Sequence, residues 1–465
     1  MRRKTEYFDK LSVNAGTQAP VFTDRSFMWW PCPRVQGHRT KKRGEKRGIK
    51  REKRRKKAKR GGKERNERER RGMSRAMVIF GRLKDPRQEK KVMHKLLDIV
   101  MITIVAVMCG CGDWGEISIF ALARKEVLGQ YLELGNGVPS HDTLSRVMGM
   151  VDPEALEECY RQWVSEILGN EKQGGEKRDN LSIDGKTIRG SGKPGLKPIH
   201  MVSAWSARAG ITLAQLKTAE KSNEITAIPD LLEVLDIAGS IVTTDAMGCQ
   251  TDIAEQIIRQ GGEYVLACKE NQEGLYKEIE EYFEYADAEA KREDKDEIGY
   301  SQEIHEEKNR GRLEKRTYEL IEDCKLLSRF HDFEGAKSIG RVSSRVILRD
   351  GNIRSDTRYF IASLSGKQAI GQFAKAVRSH WGIENSCHWV LDVTFGEDAC
   401  RTRDRIVARN LSLARKLALA LAKRVPDKVV ERYSHNQAKY TSLKKRLFLA
   451  GLYPDFMIEI LLAGA

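Results

Sequence analysis

The sequence predicts a mixed α/β fold: a mixed sheet with flanking helices, preceded by a helical domain and interrupted by an inserted β-rich subdomain. Three observations carry that prediction. The apolar pattern has a helical period from Met73 to about Asn170 and changes to short strand-like runs after it. From Leu181 onward the order reads three strands, then helix, strand, helix, strand, helix. The closing helix of that series is held back by a charged linker and β-rich sequence over 291–364.

Taken in order, residues 1–72 carry 26 of the 83 Lys+Arg and 8 of the 66 Asp+Glu. That leaves 57 basic against 58 acidic residues in the remainder, so the net charge of +17 sits almost wholly in this one stretch. Its low-complexity part, Lys41 to Arg71, has hardly an apolar side chain to bury. It reads either as a disordered basic arm or as sequence upstream of a true start at Met73. The rest is nearly neutral, so its bulk charge says nothing about what it binds.

Residues 73–172 form the helical domain. Leu96-Leu97-Asp98 opens an apolar helix, and Trp114 to Ala123 is a second. Pro139-Ser140 precedes a third, with Ser140 or Asp142 as N-cap, and Pro153 to Leu168 is a fourth. Residues 176–424 form the α/β domain. Leu181 to Asp184, Ile199 to Ala207 and Ile211 to Thr218 read as strands, the last two joined by a hairpin at Arg208-Ala209-Gly210. Glu224 to Leu235 is an amphipathic helix, and Ser240 to Thr244 is a buried strand ending at Asp245. Asp252 to Gln260, Tyr264 to Cys268 and Gly274 to Ala286 supply helix, strand and helix. This is the element order of a ribonuclease H-like fold. Within the insertion, Arg316 to Ile321, Gly340 to Leu348 and Arg358 to Leu364 read as strands. Helical pattern resumes at Lys367, Asp404 to Arg424 is amphipathic, and 425–465 is a helical tail.

Several classes of function recede on composition. The longest apolar run, Ile99 to Met108, is too short to cross a bilayer, and no segment resembles a secretory signal, so a cytosolic protein without a membrane partner is expected. The nine cysteines are scattered, and Cys109-Gly110-Cys111 has no second pair at metal-ligand spacing. They suit a reduced chain better than a disulfide or zinc framework.

Asp184 and Asp245 each stand where an apolar strand gives out, and ligands of open α/β sheets bind at such ends. Either alone is more often a turn residue, and Asp184-Gly185 suits one. Together they gain weight, because the first and fourth strands of this order are neighbours and two close carboxylates repel unless a cation lies between them. Oxygen ligands favour Mg²⁺ or Mn²⁺ over zinc. Glu384 lies on the delayed helix, with His380 and His388 one turn away on either side. The histidines read as polar packing beside Trp381 and Trp389, and Gly382 suggests a close approach there. Glu397 and Asp398 follow Gly396 in a turn, where a side chain is harder to hold, so Glu384 is preferred as the third carboxylate. Two basic clusters flank these residues: Lys186, Arg189, Lys193 and Lys197, and then Arg401, Arg403, Arg405 and Arg409. Each suits phosphate contacts, or a solvated surface.

Four stretches together resemble the H-repeat-associated group of bacterial insertion-sequence transposases. They are LSIDGKTIRGS (Leu181 to Ser191), TTDAMGCQ (Thr243 to Gln250), KENQ (Lys269 to Gln272) and RSHWGIENSCHWVLDVTFGEDACR (Arg378 to Arg401). The helical stretch, with Asp85-Pro86-Arg87 and Pro139-Ser140-His141-Asp142-Thr143, resembles that group's N-terminal associated domain. The resemblance implies a ribonuclease H-like DDE core with Asp184, Asp245 and Glu384 as catalytic, metal-binding triad. It implies Mg²⁺-dependent cutting of DNA at transposon ends and joining to target DNA in the bacterial cytoplasm, at the nucleoid, by a homo-oligomer assembled on DNA. Where the wider superfamily often has Tyr, Arg and Lys around the glutamate, this chain has Val377, His380 and Leu391. The residues that would touch DNA are Lys186, Arg189, Lys269, His380, Arg401 and Arg403. A plain metal-dependent nuclease on the same fold and an inactive DNA-binding relic are the alternatives.

Overall fold

The structure, a computed structural model, describes residues 75–169, 179–218, 224–289, 299–309, 311–434 and 442–462. The basic stretch 1–72 lies outside them.

The first helices follow the apolar pattern closely. Leu96–Met108 (α1) is apolar on every side, and all its residues but Leu97 are buried. Trp114–Ala123 (α2) starts where the Asp113 side chain accepts from Glu116 N–H. His141–Met148 (α3) starts where Ser140 accepts from Thr143 N–H, each cap meeting one of the donors a helix start leaves open. Pro153–Gly169 (α4) places its proline in the first turn, where a missing N–H is harmless.

The sheet opens with Asn180–Ile188 (β1), Ile199–Ser206 (β2) and Ile211–Lys217 (β3), each antiparallel to the one before. Gly210, at φ 67°, makes the β2–β3 turn. Glu224–Glu233 (α5) leads to Ile241–Thr244 (β4), which pairs parallel with β1. Thr251–Arg259 (α6) leads to Glu263–Cys268 (β5), parallel to β4, and Glu273–Glu289 (α7) follows. The order β3-β2-β1-β4-β5 with these directions is ribonuclease H-like, as the element order predicts.

The described residues of the region expected as an inserted β-rich subdomain form four strands rather than three: Tyr300–Asn309 (β6), Arg312–Ile321 (β7), Ser338–Ile347 (β8) and Ile353–Ala362 (β9). They continue the same sheet. β9 pairs antiparallel with β5, giving nine strands in the order β3-β2-β1-β4-β5-β9-β8-β7-β6. β6 has no strand signature in the sequence because Tyr300 to Asn309 is polar and acidic, with Tyr300 and Ile304 its only apolar side chains, which reads as linker.

Ala369–Ile383 (α8) runs into a π-helical turn, Glu384–His388, and then Trp389–Val393 (α9). Arg405–Arg424 (α10) is capped by Asp404, whose side chain accepts from Val407 N–H. Asp427–Tyr433 (α11), Leu443–Leu452 (α12) and Pro454–Leu462 (α13) complete the described chain.

Period-two alternation sorts the strand residues onto two faces. Leu181, Ile183 and Val242 share a core with Ile228 and Leu231 of α5, Ile253 of α6 and Ile279 of α7. On the other face Ile241 and Val265 meet Phe373 and Val377 of α8. Helices α1 and α4 pack on α10, so the helical stretch and the end of the α/β stretch share one hydrophobic core. Among the described residues no helix is long and apolar enough to cross a membrane.

Candidate active site

β1 does not stop at Asp184 as its apolar run suggests. It continues to Ile188 because β2 keeps pairing with it, Asp184 opposite Ser203 and Ile188 opposite Ile199. What ends beside Asp184 is the parallel ladder with β4, whose last pair is Ile183 with Thr244. Asp184 and Asp245 are therefore the next residues on neighbouring parallel strands, just past the carboxyl end of their shared ladder.

Each carboxylate is held locally. Asp184 Oδ1 accepts from Gly185 N–H at 2.9 Å, and Asp245 Oδ1 accepts from Met247 N–H at 3.0 Å. The KENQ stretch fixes the loop that carries Asp245. Asn271 Nδ2 donates to Ala246 O at 2.6 Å, and Gln272 Nε2 to Cys249 O at 2.9 Å. This buttressing role was not legible from sequence, which pointed only to the lysine.

A third acid joins them. Ligand oxygens of Asp184, Glu224 and Asp245 lie within 4.8 Å of one another. Burial, then the charges of Glu224 and Asp184, raise the Asp245 carboxyl above the ordinary range, partly opposed by Gly248 and Met247 N–H. A raised carboxyl takes up its proton at a higher pH, and a bound proton competes with a metal ion. Mn²⁺ affinity should therefore decline on acidification from a higher pH than an ordinary Asp, with its pKa of about 3.9, would give. Titration calorimetry across the acidic range checks this, and an affinity that falls only where an ordinary Asp titrates contradicts it.

The Glu384 helix is pinned to the sheet on both sides of that residue. His380 Nδ1 lies 2.9 Å from Thr243 Oγ1, next to Asp245. His388 Nδ1 lies 3.3 Å from Asp184 Oδ2, and its buried Nε2 has no hydrogen-bond partner among the described residues. Burial lowers the His380 pKa, with Arg358 and His388 acting in the same direction and Asp184 against them. The polar partners of the two histidines thus lie on the sheet, at Thr243 and Asp184. Glu384 itself is exposed and outside the 4.8 Å group. It opens the π turn, whose closing bond runs from Trp389 N–H to Glu384 O, and such turns are frequent at functional sites. Gly382 is not forced by crowding, since a Cβ there would meet Trp205 Nε1 at an ordinary 3.6 Å.

The family description "Transposase DDE domain" matches residues 175–421, and "DDE_Tnp_1-associated" matches 77–164. The chain is 38% identical over 353 residues to "H repeat-associated putative transposase YhhI" of Escherichia coli K12, covering 75% of this chain and 90% of that one. It is 40% identical over 351 residues to "Putative transposase YncI" of Escherichia coli O157:H7, covering 74% and 86%. The chain belongs to the DDE transposase family. A piggyBac transposase synaptic complex with hairpin DNA aligns over 83% of this chain and 79% of its own, at 10% identity and a TM-score of 0.33.

DDE transposases use divalent metal ions, and the site of this one fits them. Its donors are carboxylate oxygens, which suit Mg²⁺ or Mn²⁺. A Cβ at Gly185 would overlap both Glu224 Oε1 and His200 Nε2, so the glycine leaves the space that the acidic group occupies.

The basic residues of this transposase divide into two kinds. Arg189, Lys269, Arg401 and Arg403 are exposed. Arg189 lies 3.4 Å from Asp398, and a Cβ at Gly190 would overlap Cys400 O, so the loop before Arg401 and Arg403 sits directly on the end of β1. Lys186 is different. It is buried, with its Nζ 2.7 Å from Asp392, 3.1 Å from Glu397 and 3.3 Å from Asp398. Burial alone would lower its pKa, but the three carboxylates together hold it above the ordinary lysine value. Exchanging them for a phosphate would strand buried charges, so the expectation that Lys186 contacts DNA gives way to an internal role. His380, expected to contact DNA, is turned onto Thr243. Arg409 pairs with Glu157 and Glu154 of α4 instead of joining the basic cluster.

Proposed function

We propose that this DDE transposase cuts DNA at the ends of an insertion sequence and joins the freed 3′-hydroxyl ends to target DNA. The observation that carries the reading is the placement of Asp184 and Asp245 beyond the end of the β1–β4 ladder, beside a helix that presents Glu384. Asp184, Asp245 and Glu384 would hold the divalent metal, Mg²⁺ with Mn²⁺ as substitute. When bound, the metal supplies a polarised attacking oxygen and charge stabilisation of the leaving one.

The protein's own residues do the rest. His388 lies against Asp184 and limits its rotation, and His380 ties the helix to Thr243, so Glu384 stands on a backbone fixed at both ends. Arg189, Arg401 and Arg403 around the end of β1, with Lys269 at the end of β5, offer exposed cations to phosphates. Water as the attacking oxygen gives nicking, and a DNA 3′-hydroxyl gives joining, with no protein–DNA covalent intermediate. Transposon ends and target DNA are the partners, bound by a homo-oligomer at the bacterial nucleoid.

Incubating the protein with Mg²⁺, end-sequence DNA and a target plasmid should give both nicked ends and joined products. Hydrolysis without joining would put a nuclease in place of this reading, and DNA binding with neither product an inactive relic. Glu384→Gln should lower nicking and joining together by at least about a hundredfold, since a missing metal ligand removes several kcal/mol of transition-state stabilisation. An exposed side chain has little packing to lose, so the melting temperature should stay near wild type. Substantial activity in that variant would take Glu384 out of the triad.

A further inference from the structure

We propose that Glu224 is an additional ligand of the metal held at Asp184 and Asp245, entering from the face of the sheet opposite the Glu384 helix and oriented by His200. The inference rests on the metal reading above and adds a residue to it.

Glu224 opens α5, whose apolar side packs with Leu181 and Ile183. Asp184 faces the other way, as do its neighbours: Ser182 Oγ reaches Ser379 O of α8, and Lys186 reaches Asp392 of α9. A side chain coming from α5 therefore comes close to Asp184 only where the strand residue on its own face leaves room. Gly185 provides the opening, because a Cβ there would overlap Glu224 Oε1 and Cδ and His200 Nε2.

His200 fixes the side chain in that opening. It stands opposite Thr187 on β2, and its Nε2 lies 2.8 Å from Glu224 Oε1. A carboxylate accepts, so Nε2–H donates, and in the neutral ring Nδ1 accepts from the Thr187 hydroxyl at 2.9 Å. A carboxylate held by histidine on one side and aimed at a cation on the other is a recurrent way of orienting metal ligands.

A purely structural role accounts poorly for the arrangement. As a first-turn residue Glu224 would favour the helix start equally well from solvent. Instead it is partly buried and brought within 4.8 Å of two further carboxylates, which repel it until a cation intervenes.

The test is Mn²⁺ titration of the full chain by calorimetry, with melting temperatures measured with and without Mn²⁺. Glu224→Gln should weaken Mn²⁺ binding at least about tenfold, in line with the loss of a group that orients or forms a metal site. Its metal-free melting temperature should equal or exceed that of wild type, because a mutual repulsion has been removed. His200→Phe, which keeps a ring but loses the donor, should weaken binding by a smaller factor. Wild-type affinity in Glu224→Gln, with binding lost in Asp184→Asn, would overturn the assignment of Glu224 and leave the metal centre standing. A lower metal-free melting temperature with unchanged affinity would make Glu224 a structural residue and also overturn it. If Asp184→Asn itself bound Mn²⁺ like wild type, the metal reading would fail, and this inference with it.

Discussion

Asp184→Asn or Asp245→Asn should lower metal-dependent cleavage of end-sequence DNA by at least about a thousandfold, equivalent to roughly 4 kcal/mol of transition-state stabilisation. DNA binding should largely survive, because the exposed cations Arg189, Lys269, Arg401 and Arg403 are untouched. The amide is nearly isosteric with the carboxylate and can still accept the N–H bonds that Asp184 takes from Gly185 and Asp245 from Met247. What it lacks is the charge that holds a divalent cation. The fold has no reason to suffer, since each substitution relieves repulsion within the acidic group that helps raise the Asp245 pKa. Cleavage and gel-shift assays on one preparation separate the two effects. Metal-dependent cleavage at the wild-type rate in either variant would remove that residue from the site.

Glu397→Ala should be the most damaging substitution to stability near the site, costing about 3–5 kcal/mol as removal of one member of a buried ion cluster does. Glu397 is 1% exposed, with Lys186 Nζ 3.1 Å from Oε2 and Arg415 3.9 Å from Oε1. The charges of Lys186, Arg415 and Lys416 hold the carboxylate, with Ser412 adding a side-chain hydrogen bond. Burial pushes its pKa up, but Lys186, Arg415 and Lys416 outweigh that and keep it below the ordinary carboxylate value. Removing it leaves buried cations with less to balance them. The melting temperature should drop by roughly 10 °C, at about 2–4 °C per kcal/mol for a domain of this size. Pairing Glu397→Leu with Lys186→Met should recover part of the loss, as apolar replacements of buried ion pairs often do. A melt of Glu397→Ala within about 2 °C of wild type would show that the cluster carries no such weight. Glu397 and Glu384 are thereby distinguished: one variant should unfold early, the other should stay folded and fail to cut.

The resemblance to insertion-sequence transposases was legible because its motifs are contiguous, and the strand and helix order because each element's apolar period is local. Ser140 caps its helix as its position announces, since a cap acts within one turn. The parallel neighbours β1 and β4 followed from element order alone, and with them the meeting of Asp184 and Asp245. Tertiary structure decided what depends on partners distant in sequence. Lys186 reads as a phosphate contact until Asp392, Glu397 and Asp398 close around it more than two hundred residues later. Glu224 reads as an ordinary first-turn residue until the opening at Gly185 admits it beside Asp184. β6 reads as linker because a polar, Glu-rich edge strand is held by backbone pairing with β7 rather than by side-chain burial. A charge or a backbone ladder acquires its role from whatever lies across from it, and one strand of sequence does not contain its opposite.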